Sequence, residues 1–263
     1  MINVIIHGCT GRMGTTNVRV FHSDNDIKIV GGIVEEGNPF LGMDAGEVAG
    51  IGKIGVKISD NVEDYINNCD IIVDFSVPLA TSKLIDLALK YKKKLVIGTT
   101  GLSEDIYKKI TSASESVAIV QSPNFSVGIN LMLELTKVAT QVLGDDFDIE
   151  LVEIHHNKKK DSPSGTALKI LEVIKSIKSN YKTIYGREGI IGERTKEEIG
   201  IFAVRGGDVV GDHTVMYLGY GERFEITHRA TSRETFSRGA LRATKFLFSK
   251  EKGFFTMNDV LGF

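Results

Sequence analysis

The chain begins with Met1-Ile-Asn-Val-Ile-Ile-His-Gly-Cys-Thr-Gly-Arg-Met-Gly14, a stretch that predicts a strand, a turn and a helix in succession. Residues 2–7 form an apolar run, which is typical of a buried parallel strand. Glycines follow at the spacing GxxGxxG, and a helix-like stretch begins at about Arg12. Such glycines permit a tight turn and the close approach of a pyrophosphate to a helix N-terminus. The stretch therefore favours a nucleotide-binding turn.

A second apolar strand, Ile27–Val34, ends in Glu35 and Glu36. Glu35 lies 21 residues after Gly14, where a dinucleotide-binding fold places the acid that bonds the ribose hydroxyls. The alternative is a glycine turn that caps a helix, followed by an ordinary surface glutamate. The preceding strand and the following acid together favour nucleotide binding over that alternative.

The succession of strand, polar Gly/Pro loop and helix recurs from residue 2 to about residue 120. This period predicts an α/β fold with a doubly wound, Rossmann-like parallel sheet. Ligands bind such sheets beyond the carboxyl ends of the strands. We therefore expect the loops at 8–14, 75–78, 98–101 and 121–125 to converge on one crevice.

The pattern changes after residue 127. It predicts helices at 127–143 and 164–177, a strand at 147–154, and strands at 201–204, 213–218 and 223–229 that alternate in the antiparallel manner. Residues 178–198 are polar and loop-like, 234–248 are helical, and 258–263 form a short tail. We expect the last helix to pack on the first domain. The predicted domains are therefore 1–126 with 234–263, and an α+β domain at 127–233 with a mixed or antiparallel sheet.

The segment Glu153-Ile-His-His-Asn-Lys-Lys-Lys-Asp-Ser-Pro-Ser-Gly-Thr166 concentrates chemistry at a predicted strand end. His155 or His156 could donate a proton near neutral pH, and Lys159 could anchor an anion. Ser and Thr before an apolar-periodic segment signal a helix start, whose first N–H groups, those of Gly165 and Thr166, could bind a carboxylate or phosphate. The alternative is a solvated basic loop that caps a helix.

Composition narrows the class of protein. The 263 residues are 42% hydrophobic with a net charge of −2 and a pI of about 6.3, which does not favour nucleic-acid or membrane-surface partners. The sequence shows no signal peptide and no apolar run long enough to span a membrane. Its two cysteines, Cys9 and Cys69, suit a reducing cytoplasm. No metal-ligand spacing occurs, so no metal is expected.

Several blocks resemble the dihydrodipicolinate reductase family, in the same order and over nearly the whole chain. They are Gly8-xx-Gly-Arg-Met-Gly14, Asp74-Phe-Ser-Val-Pro78, Gly98-Thr-Thr-Gly101, Pro123–Gly128, Glu153–Ala167, the Arg/Gly run at 205–214 and Asp259–Gly262. The block from the paired histidines to Pro-Ser-Gly-Thr is highly specific, whereas the glycine loop alone is not.

The resemblance implies a homotetrameric enzyme of lysine and diaminopimelate biosynthesis, with a second domain for substrate binding and tetramerisation. The enzyme would reduce 4-hydroxy-tetrahydrodipicolinate, a small dicarboxylate, with NADH or NADPH. His155 then corresponds to the general acid/base and Lys159 to a proton donor or anchor, while His156 and the Gly165 and Thr166 amides hold a carboxylate beside Ser164. The implied cofactor contacts are Gly8, Cys9, Thr10, Gly11, Arg12, Met13, Glu35, Gly98, Thr99, Thr100, Ser122, Pro123, Asn124 and Phe125.

Two positions depart from some members of that family. Val77 stands where some carry a basic residue, and Glu36 stands where some carry arginine beside the ribose acid. The second departure predicts that NADH is preferred and NADPH still used. Two other readings share the glycine loop: another Rossmann-type amino-acid or aspartate dehydrogenase, and a nucleotide-sensing binding module. Neither requires the His-His-x-x-Lys block.

Overall fold

The computed structural model describes residues 1–263. Its strands are β1 Ile2–His7, β2 Ile27–Ile33, β3 Ile58–Ser59, β4 Ile71–Asp74, β5 Lys94–Ile97, β6 Ala118–Gln121, β7 Asp148–His155, β8 Lys182–Ile184, β9 Glu198–Arg205, β10 Gly211–Leu218, β11 Arg223–Ala230 and β12 Gly253–Phe255. Its helices are α1 Arg12–His22, α2 Ala45–Ala49, α3 Glu63–Ile66, α4 Pro78–Tyr91, α5 Glu104–Ser114, α6 Val127–Leu143, α7 Gly165–Ile177, α8 Glu234–Phe248 and α9 Met257–Leu261.

The chain divides into two compact units. The first contains Met1–Val127 and Arg233–Phe263, and the second contains Gly128–Ser232. Each division lies one residue from the boundary expected from the sequence. None of the helices combines the length and the apolar character needed to cross a membrane.

The first unit is built on a seven-stranded sheet with the order β12-β6-β5-β4-β1-β2-β3, in which every neighbouring pair is parallel. Successive side chains of β1 point to opposite faces. Val4 and Ile6 pack in one core with Phe21 of α1, whereas Ile5 packs in a second core with Leu84 of α4. Helices thus cover both faces, and the predicted doubly wound α/β fold is confirmed.

The C-terminal segment completes this unit. Ala240, Ala243 and Leu247 of α8 belong to the same core as Val4 and Phe21. Residues 258–263, predicted as a short tail, lie mostly in helix α9, and β12, in residues for which no element was predicted, pairs with β6. A capping box formed by Thr256 and Asp259 begins α9, a signal that the sequence carried. A strand of three residues is too short to produce a recognisable pattern.

The second unit has a five-stranded mixed sheet with the order β11-β10-β7-β9-β8. β10 runs antiparallel to β11 and β7, but β9 runs parallel to β7 and β8. The antiparallel prediction for residues 201–204 was therefore wrong. A period of two reports which face is buried and says nothing about strand direction. The loop predicted at 178–198 also contains the short strand β8.

The two faces of this second sheet differ. Ile149 and Leu151 of β7 pack with Ile170 and Ile174 of α7 in a continuous apolar core. Alternation along β7 places Glu153 and His155 on the same face as these residues, and Glu150 on the opposite face. A polar pair thus lies at the carboxyl end of a strand whose earlier residues anchor the core.

Candidate active site

The glycine loop seats helix α1 directly against the end of β1. Gly8 has φ +78°, and a Cβ atom at Gly14 would lie 1.9 Å from the carbonyl oxygen of Gly8. Only glycine fits this close approach. Gly11 is the N-cap of α1 and has no side chain that could accept from the first turn. The N–H groups of that turn are therefore available to an anionic ligand.

A cavity of about 630 Å³ lies beside this loop, a volume within the range of small-molecule sites. Gly8, Thr10 and Gly11 line it on one side, together with Glu35 and Glu36. Asn38 donates a hydrogen bond of 2.8 Å to Glu35. This bond is the main cause that holds the pKa of Glu35 below its ordinary value. The carboxylate is thus ionised and suited to accept from ribose hydroxyls.

Lysine 83 was not predicted as a site residue, although it lines the same cavity. It comes from α4 and is the only lysine or arginine among the lining residues. Its position in the sequence gave no signal, because a lysine on an exposed helix face is usually only solvated.

Asp74 holds the carboxyl edge of the sheet together. It is fully buried and accepts hydrogen bonds from His7 Nδ1 at 2.7 Å, Ser76 Oγ at 2.6 Å, Thr81 Oγ1 at 2.5 Å and Thr99 Oγ1 at 2.9 Å. Burial by itself would raise the pKa of Asp74, but the hydrogen bonds and the His7 ring lower it below its ordinary value. One carboxylate therefore connects β1, β4, α4 and the loop after β5.

Apart from Cys9, the predicted cofactor residues fall into three groups. Gly8, Thr10, Gly11 and Glu35 line the cavity, and Arg12 and Met13 form the first turn of α1. The third group, at the ends of β5 and β6, does not line it and consists of Gly98, Thr99, Thr100, Ser122, Pro123, Asn124 and Phe125.

Two of the predicted cofactor residues, Cys9 and Phe125, have buried side chains that make contacts inside the protein. Cys9 is buried, its N–H group donates to Ile33, and burial raises the pKa of its thiol to about 12. The ring of Phe125 is also buried and packs on Phe75 at 5.7 Å between centroids. Both side chains therefore pack inside the protein and support the loops that contain them.

In the second unit, His155 is the last residue of β7 and is largely buried. Its Nδ1 atom lies 2.5 Å from Oε2 of Glu153, a fully buried carboxylate. Arg205 binds Glu153 through two hydrogen bonds of 2.8 Å. Burial lowers the pKa of His155, and the bond to Glu153 opposes that shift. The arrangement resembles the way a carboxylate orients a catalytic imidazole.

The turn after β7 places His156 and Lys159 beside this pair. The N–H group of His156 donates to Val209 at 2.8 Å, and the N–H group of Lys159 donates to the carbonyl oxygen of His156 at 3.1 Å. Nδ1 of His156 is buried without a hydrogen-bond partner. The ammonium of Lys159 lies 3.0 Å from Asp161, so an incoming anion would compete with that carboxylate.

The N-terminus of α7 completes the group. Ser164 is its N-cap, accepts from the N–H group of Ala167 at 3.1 Å and contacts Nε2 of His213 at 3.1 Å. A Cβ atom at Gly165 would meet nothing within 4 Å, so the helix end is open there, with Thr166 in its first turn. The structure thus brings together all six predicted residues of this segment: His155, His156, Lys159, Ser164, Gly165 and Thr166.

Three residues around this segment were not assigned a role from the sequence. Glu153 is buried behind His155 and pairs with the partly buried Arg205, and His213 is buried beside Ser164. His213 stands opposite Glu153 in the neighbouring strand, and burial lowers its pKa to about 4. The only signal for Glu153 was its spacing of two from His155, which places both on one face of a strand.

No cluster of three or more His, Cys, Asp or Glu side chains is arranged to hold a metal ion. Both cysteines are free and buried.

Comparison with known proteins finds matches along nearly the whole chain. Residues 2–125 match the family model of the dihydrodipicolinate reductase N-terminus, and residues 128–261 match that of its C-terminus. The 4-hydroxy-tetrahydrodipicolinate reductases of Trichlorobacter lovleyi and Geotalea daltonii are 45% and 43% identical to the chain, covering all of it and 99% of each relative.

The fold has a close structural counterpart. A dipicolinate-bound dihydrodipicolinate reductase from Paenisporosarcina sp. TG-14 has a TM-score of 0.79 with 23% identity, covering 97% of each chain. The two family models together span nearly the whole sequence, and the relatives match it from end to end. The chain therefore belongs to the dihydrodipicolinate reductase family.

Proposed function

We propose that the protein reduces 4-hydroxy-tetrahydrodipicolinate to tetrahydrodipicolinate with a reduced nicotinamide dinucleotide, in lysine and diaminopimelate biosynthesis. One observation carries the proposal: a carboxylate-bound histidine stands in the same segment as an open helix N-terminus, in a chain of this family. A proton donor beside an anion-binding turn suits a dicarboxylate that loses its hydroxyl group as water and gains a hydride and a proton.

The first unit is proposed to hold the dinucleotide. Gly8 and Gly11 suit a pyrophosphate because Gly11 leaves the first-turn N–H groups of α1 uncapped, and Glu35 suits the ribose hydroxyls. When bound, the reduced nicotinamide supplies the hydride. The protein's part is to bind and orient the cofactor at the carboxyl edge of the sheet.

The second unit is proposed to bind the substrate and protonate it. The N-terminus of α7 and Lys159 provide an N–H group and a cation for carboxylates, and His156 adds a buried ring nitrogen without a partner. Nδ1 of His155 faces Glu153, so Nε2 is the atom that can exchange a proton with the substrate. Negative charge that develops as hydride adds to a conjugated imine is neutralised by that proton.

A coupled assay tests the activity. Aspartate semialdehyde, pyruvate and an upstream synthase would generate the substrate, and the absorbance of the reduced nicotinamide would fall as the protein acts. Cofactor binding without turnover would contradict the proposal and favour a nucleotide-sensing module. Turnover of an amino acid with oxidised cofactor, and none in the coupled assay, would favour an amino-acid dehydrogenase.

NADH is the proposed preferred cofactor, with NADPH also used. Glu35 and Glu36 line the cavity where the extra phosphate of NADPH would lie, and like charges about 4 Å apart repel by about 1 kcal/mol even in water. Lys83 lines the same cavity and offsets part of this repulsion. We therefore expect a modest ratio of kcat/KM values, which widens at low ionic strength because screening weakens.

Assembly into a homotetramer is also proposed, through the sheet face of the second unit that α7 does not cover. Val204 is about half exposed on that face, and an open cavity there is lined by Phe202 and Met216 among others. Exposed apolar area of this kind favours a protein partner. Light scattering that gave the 28.8 kDa mass of one chain would contradict the tetramer.

The two free cysteines suit the cytoplasm, which we propose as the location.

A further inference from the structure

We propose that Glu153 is a positioning residue that fixes both the proton donor His155 and the carboxylate-binding turn at Ser164, and that Arg205 keeps Glu153 in place. The inference rests on the proposed function, because His155 and the turn are its proton donor and its anion site. Beyond that function, the inference assigns a single buried carboxylate on which His155 and the turn at Ser164 both depend.

Four donors converge on this carboxylate. Oε2 accepts from Nδ1 of His155 and from one guanidinium nitrogen of Arg205 at 2.8 Å. Oε1 accepts from the N–H group of Ser164 at 3.0 Å and from the second guanidinium nitrogen at 2.8 Å. Two carboxylate oxygens offer about four acceptor sites, so every site is used. A protonated or amide side chain would place a donor against a donor.

The donors come from three different segments of the second unit. His155 ends β7, Arg205 ends β9 in direct parallel register with it, and Ser164 begins α7. Glu153 is the one group that contacts all three. The distance between the imidazole and the N-terminus of α7 is therefore set by the two oxygens of one side chain.

The remaining contacts restrict the imidazole ring. His213 meets it edge to face at 5.2 Å between centroids. A Cβ atom at Gly211 would lie 2.9 Å from Nε2 of His155, so the backbone of β10 approaches that atom closely. With Nδ1 directed at Glu153, the neutral ring carries its proton on Nδ1 and leaves Nε2 as the site of exchange.

The charges around His155 determine how easily it is protonated. Burial lowers its pKa, Glu153 raises it, and Lys159 and Arg205 lower it further. Asp161 pairs with Lys159, and His213, with a pKa of about 4, is neutral near pH 7. Glu153 is thus the main group that favours the imidazolium. Removing its charge lowers the pKa of His155 and reduces the fraction that can act as an acid at neutral pH.

The test combines Glu153→Gln, His155→Ala and the double variant. We expect Glu153→Gln to lower kcat by about tenfold or more at pH 7, and to move the alkaline limb of the kcat–pH profile to lower pH. Because Glu153 acts on the proton transfer through His155, the double variant should lose no more kcat than His155→Ala alone, whereas its effect through the turn at Ser164 should appear in KM. Losses in kcat that multiply in the double variant, or an alkaline limb that Glu153→Gln does not shift, would overturn the proposal.

Glu150→Gln is the matched control. Glu150 is also buried and also bound by two hydrogen bonds from one arginine, Arg187, on the same strand but on the other face. Since Glu150 lies on the face proposed for assembly, the variant is compared at a mass by light scattering equal to that of the wild type, and we expect a similar fall in melting temperature with an unchanged pH profile of kcat. A profile that shifted equally in both variants would reduce Glu153 to a structural role.

A spectroscopic measurement needs neither a stable variant nor activity. The nitrogen chemical shifts of His155 in the wild-type protein, near pH 8, should report a proton on Nδ1. A proton on Nε2 would overturn the positioning role even if the enzyme is active. If the protein shows the Nδ1 tautomer but is inactive in the coupled assay, the contact between Glu153 and His155 is supported and the proposed reductase function is contradicted.

Discussion

The three glycines of the first loop are expected to have separable functions, which alanine substitutions at positions 11 and 14 can resolve. In Gly14→Ala, the new Cβ atom would lie 1.9 Å from the carbonyl oxygen of Gly8 and 2.7 Å from Cys9. The first distance falls about 1.5 Å short of an ordinary contact of 3.4 Å, and both opposing groups are backbone. Helix α1 must therefore move away from β1.

Overpacking of this kind costs about 1–3 kcal/mol. For a unit of this size, each kcal/mol lowers the melting temperature by about 2–4 °C, so we expect Gly14→Ala to lower it by about 2–12 °C. The same movement would displace the N–H groups of the first turn and weaken NADH binding. Thermal unfolding followed by circular dichroism and titration of NADH by calorimetry would measure both effects.

Gly11→Ala is the control for stability. Gly11 has φ −69°, and its added Cβ atom would meet only the Gly8 oxygen, at 3.4 Å. We expect a melting temperature close to that of the wild type, but a dissociation constant for NADH raised about tenfold or more, because Gly11 lines the cavity. A Gly14→Ala protein that melts within about 1 °C of the wild type would refute the packing argument. Unchanged NADH affinity in Gly11→Ala would show that the cofactor does not approach this residue.

Four other outcomes are expected. His155→Ala should lower kcat by about 10²-fold or more with NADH affinity unchanged; an unaltered kcat would move the role to another residue. Lys159→Ala should weaken the binding of pyridine-2,6-dicarboxylate roughly 10- to 100-fold by calorimetry, since charge-assisted contacts contribute about 1.5–3 kcal/mol; equal affinity would exclude the contact. Glu36→Arg should raise kcat/KM for NADPH relative to kcat/KM for NADH. An unchanged ratio would mean that the extra phosphate of NADPH does not lie beside residue 36. Asp74→Asn should destabilise the protein by about 3–5 kcal/mol at pH 7. The pKa of Asp74 in the folded protein lies below 3.8, so its stabilising effect is complete above pH 3.8 and is lost as the pH falls through that folded-state pKa. The difference in melting temperature between wild type and variant should therefore narrow in acid.

Local pattern was sufficient to predict most of the first unit. The apolar run of β1, the glycines after it and the helix from Arg12 each have a signature within about ten residues. The short elements β8 and β12 were not resolved, because three residues cannot establish a period. Strand direction was missed at β9, where the burial pattern is compatible with either orientation.

The candidate site in the second unit was only partly predictable. His155, Lys159 and Ser164 lie close together in sequence, so their proximity in space follows from one turn. The pairing of Glu153 with Arg205 depends on the register of two strands that are far apart in the chain. Nothing in the local pattern of Arg205 reports that register. Likewise, Asp74 lies in a recognised motif, but its four hydrogen-bond donors come from β1, the residues after β4, α4 and the loop after β5.

The contribution of α8 to the first unit constrains the order in which the nascent chain can fold. Ala240, Ala243 and Leu247 belong to the same core as Val4 and Phe21, and Lys245 forms an ion pair with Asp24. During synthesis the ribosome delivers residues 1–127 first, then the whole of residues 128–232, and only afterwards α8. Because domains tend to fold as units during translation, the second unit can reach its native packing first. The first unit must keep an apolar face of its sheet unfilled until α8 has left the exit tunnel.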